Sequence, residues 1–148
     1  MTNSEPITEP QIQLVQDSAA AVDAILEPFA EAFYANLFSA YPSVRPMFGT
    51  DPAVQAGKLA GELRRIVGAL TAPERFARQV RTLGERHARY GAQPAHYEAV
   101  GATLLQTFHE QLGEAFTPEL HDAWAVAYGT VAALMIEAQQ AAELEMAG

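Results

Sequence analysis

Five of the nine prolines in this chain sit where an α-helix can begin. They occur in Thr8-Glu9-Pro10, Thr50-Asp51-Pro52, Thr71-Ala72-Pro73, Gln93-Pro94 and Thr117-Pro118. A proline has no N–H to donate, and the first turn of a helix is where that donor would go unpaired anyway. Threonine and aspartate just ahead of the proline supply the oxygen that caps the free amides. Gly49, Gly91 and Gly113 fall where the helices between should stop. This punctuation predicts helical segments at about 9–24, 25–40, 52–70, 73–89, 94–112 and 117–142, with one short turn of helix at 42–48.

The apolar spacing inside the segments is helical. Leu59, Leu63, Ile66, Val67 and Leu70 follow one face, as do Tyr97, Val100, Leu104, Leu105, Phe108 and Leu112. Leu120, Trp124, Ala127, Tyr128, Val131 and Met135 do the same near the end. Alternating strand patterns are absent, so the expected fold class is all-α. The 148 residues are one domain's worth and can bury a core. We expect a single domain over 1–148, with flexible ends at 1–8 and 143–148.

Charge and residue usage exclude several functions. The formal net charge of −9 repels phosphate backbones, so nucleic-acid binding is not expected. The arginines at 75, 78, 81, 86 and 89 have near-helical spacing and read as a solvated helix face. With no cysteine there is no disulfide, thiolate metal site or thiol nucleophile. The opening MTNSEPITEPQ has no apolar core of a signal peptide, and no apolar run is long enough to cross a bilayer. A soluble cytoplasmic protein without membrane insertion is the expectation.

No constellation of side chains alone looks catalytic. No serine has a nucleophile-elbow context, no glycine-rich loop resembles a phosphate cradle, and no HExxH or paired Glu-x-x-His occurs. Glu27, Glu31, Glu62 and Glu110 read as solvated positions. Among the four histidines, His87 stands out because Phe76, Val80, Leu83 and His87 form one stripe that should face the core. A buried neutral imidazole needs partners for both nitrogens, or a metal on one. Phe29, Phe33 and Phe38 read as core, whereas Tyr34 carries a hydroxyl that needs a partner if buried. Any chemistry should come from a cofactor.

Three stretches together resemble the globins: FYANLFSAYPSVRPMF at 33–48, LGERHARYGAQPAHYEAVGATLL at 83–105, and FTPELHDAWAVAYGTVAALM at 116–135. The resemblance is to bacterial single-domain haemoglobins and to the globin domain of flavohaemoglobins, and it runs from about residue 9 to 140. It implies a globin fold: about seven helices, one of them a short third helix, in a three-on-three sandwich around haem b (iron protoporphyrin IX). His87 matches the proximal histidine that ligates iron, and Phe48 the phenylalanine packed on the haem face. Tyr34 and Gln55 match the distal tyrosine and glutamine, Leu59 the apolar residue one turn further on, and Tyr97 the tyrosine beside the proximal histidine. Val100, one turn beyond Tyr97, joins the residues expected at the cofactor. Lys58 either pairs with a haem propionate or stays solvated, and Arg86 and Arg89 flank the ligand facing solvent with a propionate in reach. His96 reads as a surface residue near a helix start.

Such a pocket binds dioxygen, nitric oxide or carbon monoxide at the sixth position of iron. Tyr34 and Gln55 would stabilise negative charge on a bound gas as donors, and apolar walls would keep water out. The resemblance implies oxidation of nitric oxide to nitrate, with electrons from a separate flavin reductase. The acidic surface either steers a basic patch on that reductase or simply keeps the protein soluble. Oxygen storage or delivery and ligand sensing are the alternatives. One departure is chemical. Gln139 stands where flavohaemoglobins carry a glutamate, and Glu137, two residues away, belongs to another face. A neutral amide should push less electron density toward iron, which implies weaker peroxidase-like activation.

Overall fold

The computed structural model describes residues 7–48, 51–89 and 91–147. It contains helices α1 (Glu9–Asp23), α2 (Leu26–Ala40), α3 (Pro52–Gly68), α4 (Pro73–Arg89), α5 (Pro94–Leu112) and α6 (Pro118–Ala147). The short third helix is a 3₁₀ turn, Pro42–Met47, and a second 3₁₀ turn, Gly113–Ala115, closes α5. Pro42 and Pro46 explain the first of these: prolines this close together leave too few N–H groups for an α-helix.

The predicted punctuation holds at the caps of α1, α3 and α6 and at two of the three glycines. Thr8 accepts from the Gln11 N–H at 3.3 Å while the Gln11 side chain accepts from the Thr8 N–H at 3.0 Å. The Asp51 carboxylate caps α3 through the Ala53 N–H at 3.0 Å, and the Thr117 hydroxyl caps α6 through the Leu120 N–H at 3.2 Å. Gly91 and Gly113 have φ of 73° and 56° just after α4 and α5, positive values that glycine adopts without strain. Gly49 and Thr50, the expected stop and cap before α3, lie outside the described residues, as do residues 1–6. Helix α6 continues to Ala147, past the boundary expected near 142.

The helices form two layers of three. α1, α3 and α4 lie over α2, α5 and α6, with α4 against α6, α3 against α2 and α1 against α6 across the interface. The tightest crossing is made at Gly84, where a Cβ would meet the Met135 carbonyl oxygen at 2.6 Å and the Met135 Cα at 2.9 Å. Gly101 makes a similar approach to the Tyr128 ring. Phe29, Phe108 and Trp124 fill the centre, with ring centroids of Phe108 4.8 Å from Phe29 and 4.4 Å from Trp124. The one polar atom of the Trp124 side chain is satisfied: its Nε1–H donates to the Ser18 hydroxyl at 2.8 Å. No helix among the described residues is long and apolar enough to cross a membrane.

Candidate functional site

The two layers do not close completely. Between them lies a cavity of about 750 Å³, within the range of about 300–1,000 Å³ typical of small-molecule and cofactor sites. Its lining is mostly apolar and comes from every α-helix and from the Pro42–Met47 turn. Eight of the residues singled out by sequence line it: Tyr34, Phe48, Gln55, Lys58, Leu59, His87, Tyr97 and Val100. They lie up to 66 positions apart in the chain, so only the fold brings them together.

On one side the walls are aromatic. Phe33, Tyr34, Phe38 and Phe48 pack as a set, with the Tyr34 ring 5.6 Å from Phe48 and 5.1 Å from Phe33. Burial pushes the Tyr34 phenol up to about 12, so at neutral pH it is a proton donor and never a phenolate. Gln55 enters from the first turn and a half of α3, half-buried, and Leu59 follows one turn later. An amide and a phenol thus reach the same space from different helices, each able to donate to a negatively charged atom.

The other side is built on His87. Its stripe holds as expected: Phe76 and Val80 are buried in the core, while Leu83 and His87 turn toward the cavity. His87 Nδ1 lies 2.8 Å from the Leu83 carbonyl oxygen, which can only accept. Nδ1 therefore carries the proton, and Nε2 carries the lone pair. Burial lowers the pKa of the imidazole against the opposing pull of that carbonyl and of Glu62. A neutral imidazole with an oriented second nitrogen is the form that ligates a metal.

Tyr97 stands beside it, ring centroids 6.0 Å apart. Burial pushes the Tyr97 phenol up to about 12, with a further contribution from the Glu143 charge. Its hydroxyl donates to Gln139 Oε1 at 2.5 Å, which brings Gln139 onto the His87 side of the cavity. Tyr128 braces the arrangement by donating its hydroxyl to the Tyr97 carbonyl at 2.5 Å.

Charged groups gather at the cavity's exposed edge. Lys58 is exposed there, as are Arg65 and Arg86. Glu62, read from sequence as a solvated position, links α3 to α4: its carboxylate lies 2.5 Å from Arg65 and 3.6 Å from Arg86. Its spacing of three from Arg65 is the local signal for the first of these pairs. All nine Lys and Arg residues fall between positions 45 and 89, against only four of the eighteen carboxylates. Lys58, Arg65 and Arg86 against Glu62 make this edge locally basic on a protein whose net charge is −9. His96 is more than a surface residue. Its Nδ1 accepts from the Gln93 N–H at 2.9 Å, capping α5, and the ring also lines the cavity. His109 and His121 lie at the far end of α5 and start of α6 and touch no part of it. Arg89 faces a separate groove of about 530 Å³ between α4 and α6, away from His87's cavity.

A two-layer, six-helix sandwich whose inner cavity is lined by a histidine, a tyrosine and a glutamine defines the class of protein. The chain belongs to the globin family, whose sequence model matches residues 31–135. It is 37% identical over 135 residues to a flavohemoprotein of Deinococcus radiodurans, covering 88% of this chain and 33% of that protein. A flavohemoprotein of Bordetella pertussis is 31% identical over 136 residues, again covering a third of its length. The chain thus spans about a third of the curated relatives it matches. Among solved structures, a bacterial globin from Campylobacter jejuni superposes with a TM-score of 0.80 at 28% identity, covering 90% of this chain and 96% of that one. An engineered carbene transferase from Rhodothermus marinus, described as a candidate nitric oxide dioxygenase, gives a TM-score of 0.86 at 29% identity, covering 96% and 99%. The globin fold expected from the sequence is the fold observed.

Proposed function

We propose that this globin binds haem in the cavity, with His87 as the protein ligand to iron, and that it binds diatomic gases and oxidises nitric oxide to nitrate. The observation that carries the reading is the convergence in one largely apolar cavity of a neutral, oriented imidazole with two hydrogen-bond donors, Tyr34 and Gln55. The volume and apolar lining suit a flat porphyrin, and Lys58, Arg65 and Arg86 suit its two carboxylates at the exposed edge. Bound haem would supply an open iron position for dioxygen, nitric oxide or carbon monoxide, and the place where nitric oxide and dioxygen combine to nitrate.

The chain's own residues do the rest. His87 would hold the iron through Nε2, its ring orientation fixed by Leu83. Tyr34 and Gln55 would donate hydrogen bonds to a negatively charged ligand atom, in a site of low dielectric where such bonds count most. Phe48, Leu59 and Val100 exclude water from the space around it. Each turnover consumes one electron. The flavohemoprotein relatives support a flavin reductase as its source, and the basic edge of the cavity favours a donor with an acidic face.

The test starts with an optical spectrum of the purified protein, with hemin added and then reduced under air. A haem spectrum in the wild type that is lost in His87→Ala supports the ligand assignment. Mixing the oxygenated protein with nitric oxide should then yield stoichiometric nitrate. Nitrite as the main product, or a slow reaction, would leave reversible oxygen binding as the function; two distal donors argue against that through slow dioxygen release.

A further inference from the structure

Gln139 is 4% exposed, and nearly all of its hydrogen-bonding capacity is used. Its amide oxygen accepts from the Tyr97 hydroxyl at 2.5 Å. Its amide nitrogen donates twice: to the Ala92 carbonyl, and to Glu143 Oε1 at 2.8 Å. The orientation of the amide is forced. Turned over, its oxygen would face two acceptors, the Ala92 carbonyl and the Glu143 carboxylate. Of the three partners, Glu143 alone carries a charge, and it lies on the same face of α6 one helical turn beyond Gln139.

We propose that Glu143 is a positioning residue for the His87 wall of the cavity: through the Gln139 amide, its carboxylate strengthens the hydrogen bond that Tyr97 donates and so sets the electron density of the phenol beside His87. A hydrogen bond to an ionised acceptor is roughly twice as strong as a neutral one, and bonds in a chain polarise one another. Charge on Glu143 draws the amide N–H outward, makes Oε1 a better acceptor, and pulls the Tyr97 proton toward Gln139. The same hub reaches His87 along the backbone, since the Ala92 N–H donates to the His87 carbonyl at 3.3 Å. The neutral Gln139 therefore does not leave this wall without a carboxylate. It moves the carboxylate one turn along the helix and couples it through an amide. Glu137 is not among the residues of this chain of bonds, whereas the spacing of four between Gln139 and Glu143 is the sequence signal for it.

The consequence for iron rests on the haem reading above; the hydrogen-bond relay does not. Glu143→Gln retains an acceptor for the Gln139 amide and removes the charge, and Glu143→Ala removes both. In the haem-free full chain, the Tyr97 Cζ chemical shift should move toward that of a more weakly bonded phenol in both variants, with the melting temperature of Glu143→Gln unchanged. In the reduced, haem-loaded chain the iron–histidine stretching band should fall in both and rise in Gln139→Glu. An unmoved Tyr97 signal in Glu143→Gln overturns the proposal, as does a change in Glu143→Ala that Glu143→Gln rescues, because either result assigns Glu143 a purely structural role. A moved Tyr97 signal with an unmoved stretching band overturns the link to His87. A wild type that takes up no haem refutes the proposed function instead, and the Tyr97 signal still decides the relay.

Discussion

Replacing Gly84 by alanine should destabilise the protein, although the same change in most helices stabilises it. Alanine is favoured over glycine in a helix interior by about 1 kcal/mol. At Gly84 the new methyl would lie 2.6 Å from the Met135 carbonyl oxygen, 2.9 Å from the Met135 Cα and 3.1 Å from the Ala138 Cβ. Two of these are backbone atoms, and the third is a methyl on a rigid stem, so no flexible side chain can move away. Helix α4 must shift on α6. Overpacking of this kind costs about 1–3 kcal/mol, and the absence of any yielding neighbour argues for the upper end. The net effect is a loss of about 2 kcal/mol, or roughly 4–8 °C in melting temperature at this chain length. Gly129 is the control: it is an exposed glycine inside α6 with nothing within 4 Å of its Cβ position. Gly129→Ala should gain about 1 kcal/mol. Urea unfolding followed by circular dichroism measures both, with equal slopes confirming that only stability changed. A Gly84→Ala protein as stable as Gly129→Ala would refute the claimed crossing. Because His87 lies one turn beyond Gly84, the variant should also hold hemin less tightly, read by transfer to a competing haem acceptor.

Tyr34→Phe removes the phenol donor while keeping the ring contacts with Phe33 and Phe48. Losing a hydrogen bond of about 1.5–3 kcal/mol to a charged acceptor should speed dioxygen release roughly 10- to 100-fold, measured by ligand replacement in stopped flow; an unchanged rate would remove Tyr34 from the gas site. Stability should decline at high pH. Tyr34 and Tyr97 titrate near 12 when folded and near 10 when unfolded, so the stability they contribute is complete below about pH 10 and is lost as pH rises toward 12. Flat stability from pH 9 to 12 would contradict their burial. Trp124→Phe deletes the buried bond to Ser18 and should cost about 1 kcal/mol in the same urea assay, with a larger loss if Ser18 finds no other donor.

The helices were legible in the sequence because their signals are local. A capping oxygen, a proline in the first turn and a glycine at the end act within four residues, and they placed α1, α3, α4 and α5 almost to the residue. The stripe ending in His87 was equally readable, since helical periodicity alone turns it toward the core. Tyr34, Gln55 and Tyr97 were named through the globin resemblance, not through spacing, because nothing local marks a phenol or an amide as a cavity residue. What the sequence hid was pairing across helices. Glu62 looked solvated until α3 and α4 met at the cavity edge. The basic edge was masked by a net charge of −9, a sum that carries no positions. The Tyr97–Gln139 bond joins residues 42 apart, and the direction of the Gln139 amide depends on Ala92, 47 residues away. Which segments are helical and which faces are apolar follow from the covalent chain and its nearest neighbours, so both can be read residue by residue. Which polar groups meet in the cavity left between the layers is settled by the packing, because burial, charge pairing and hydrogen-bond direction depend on how whole helices cross.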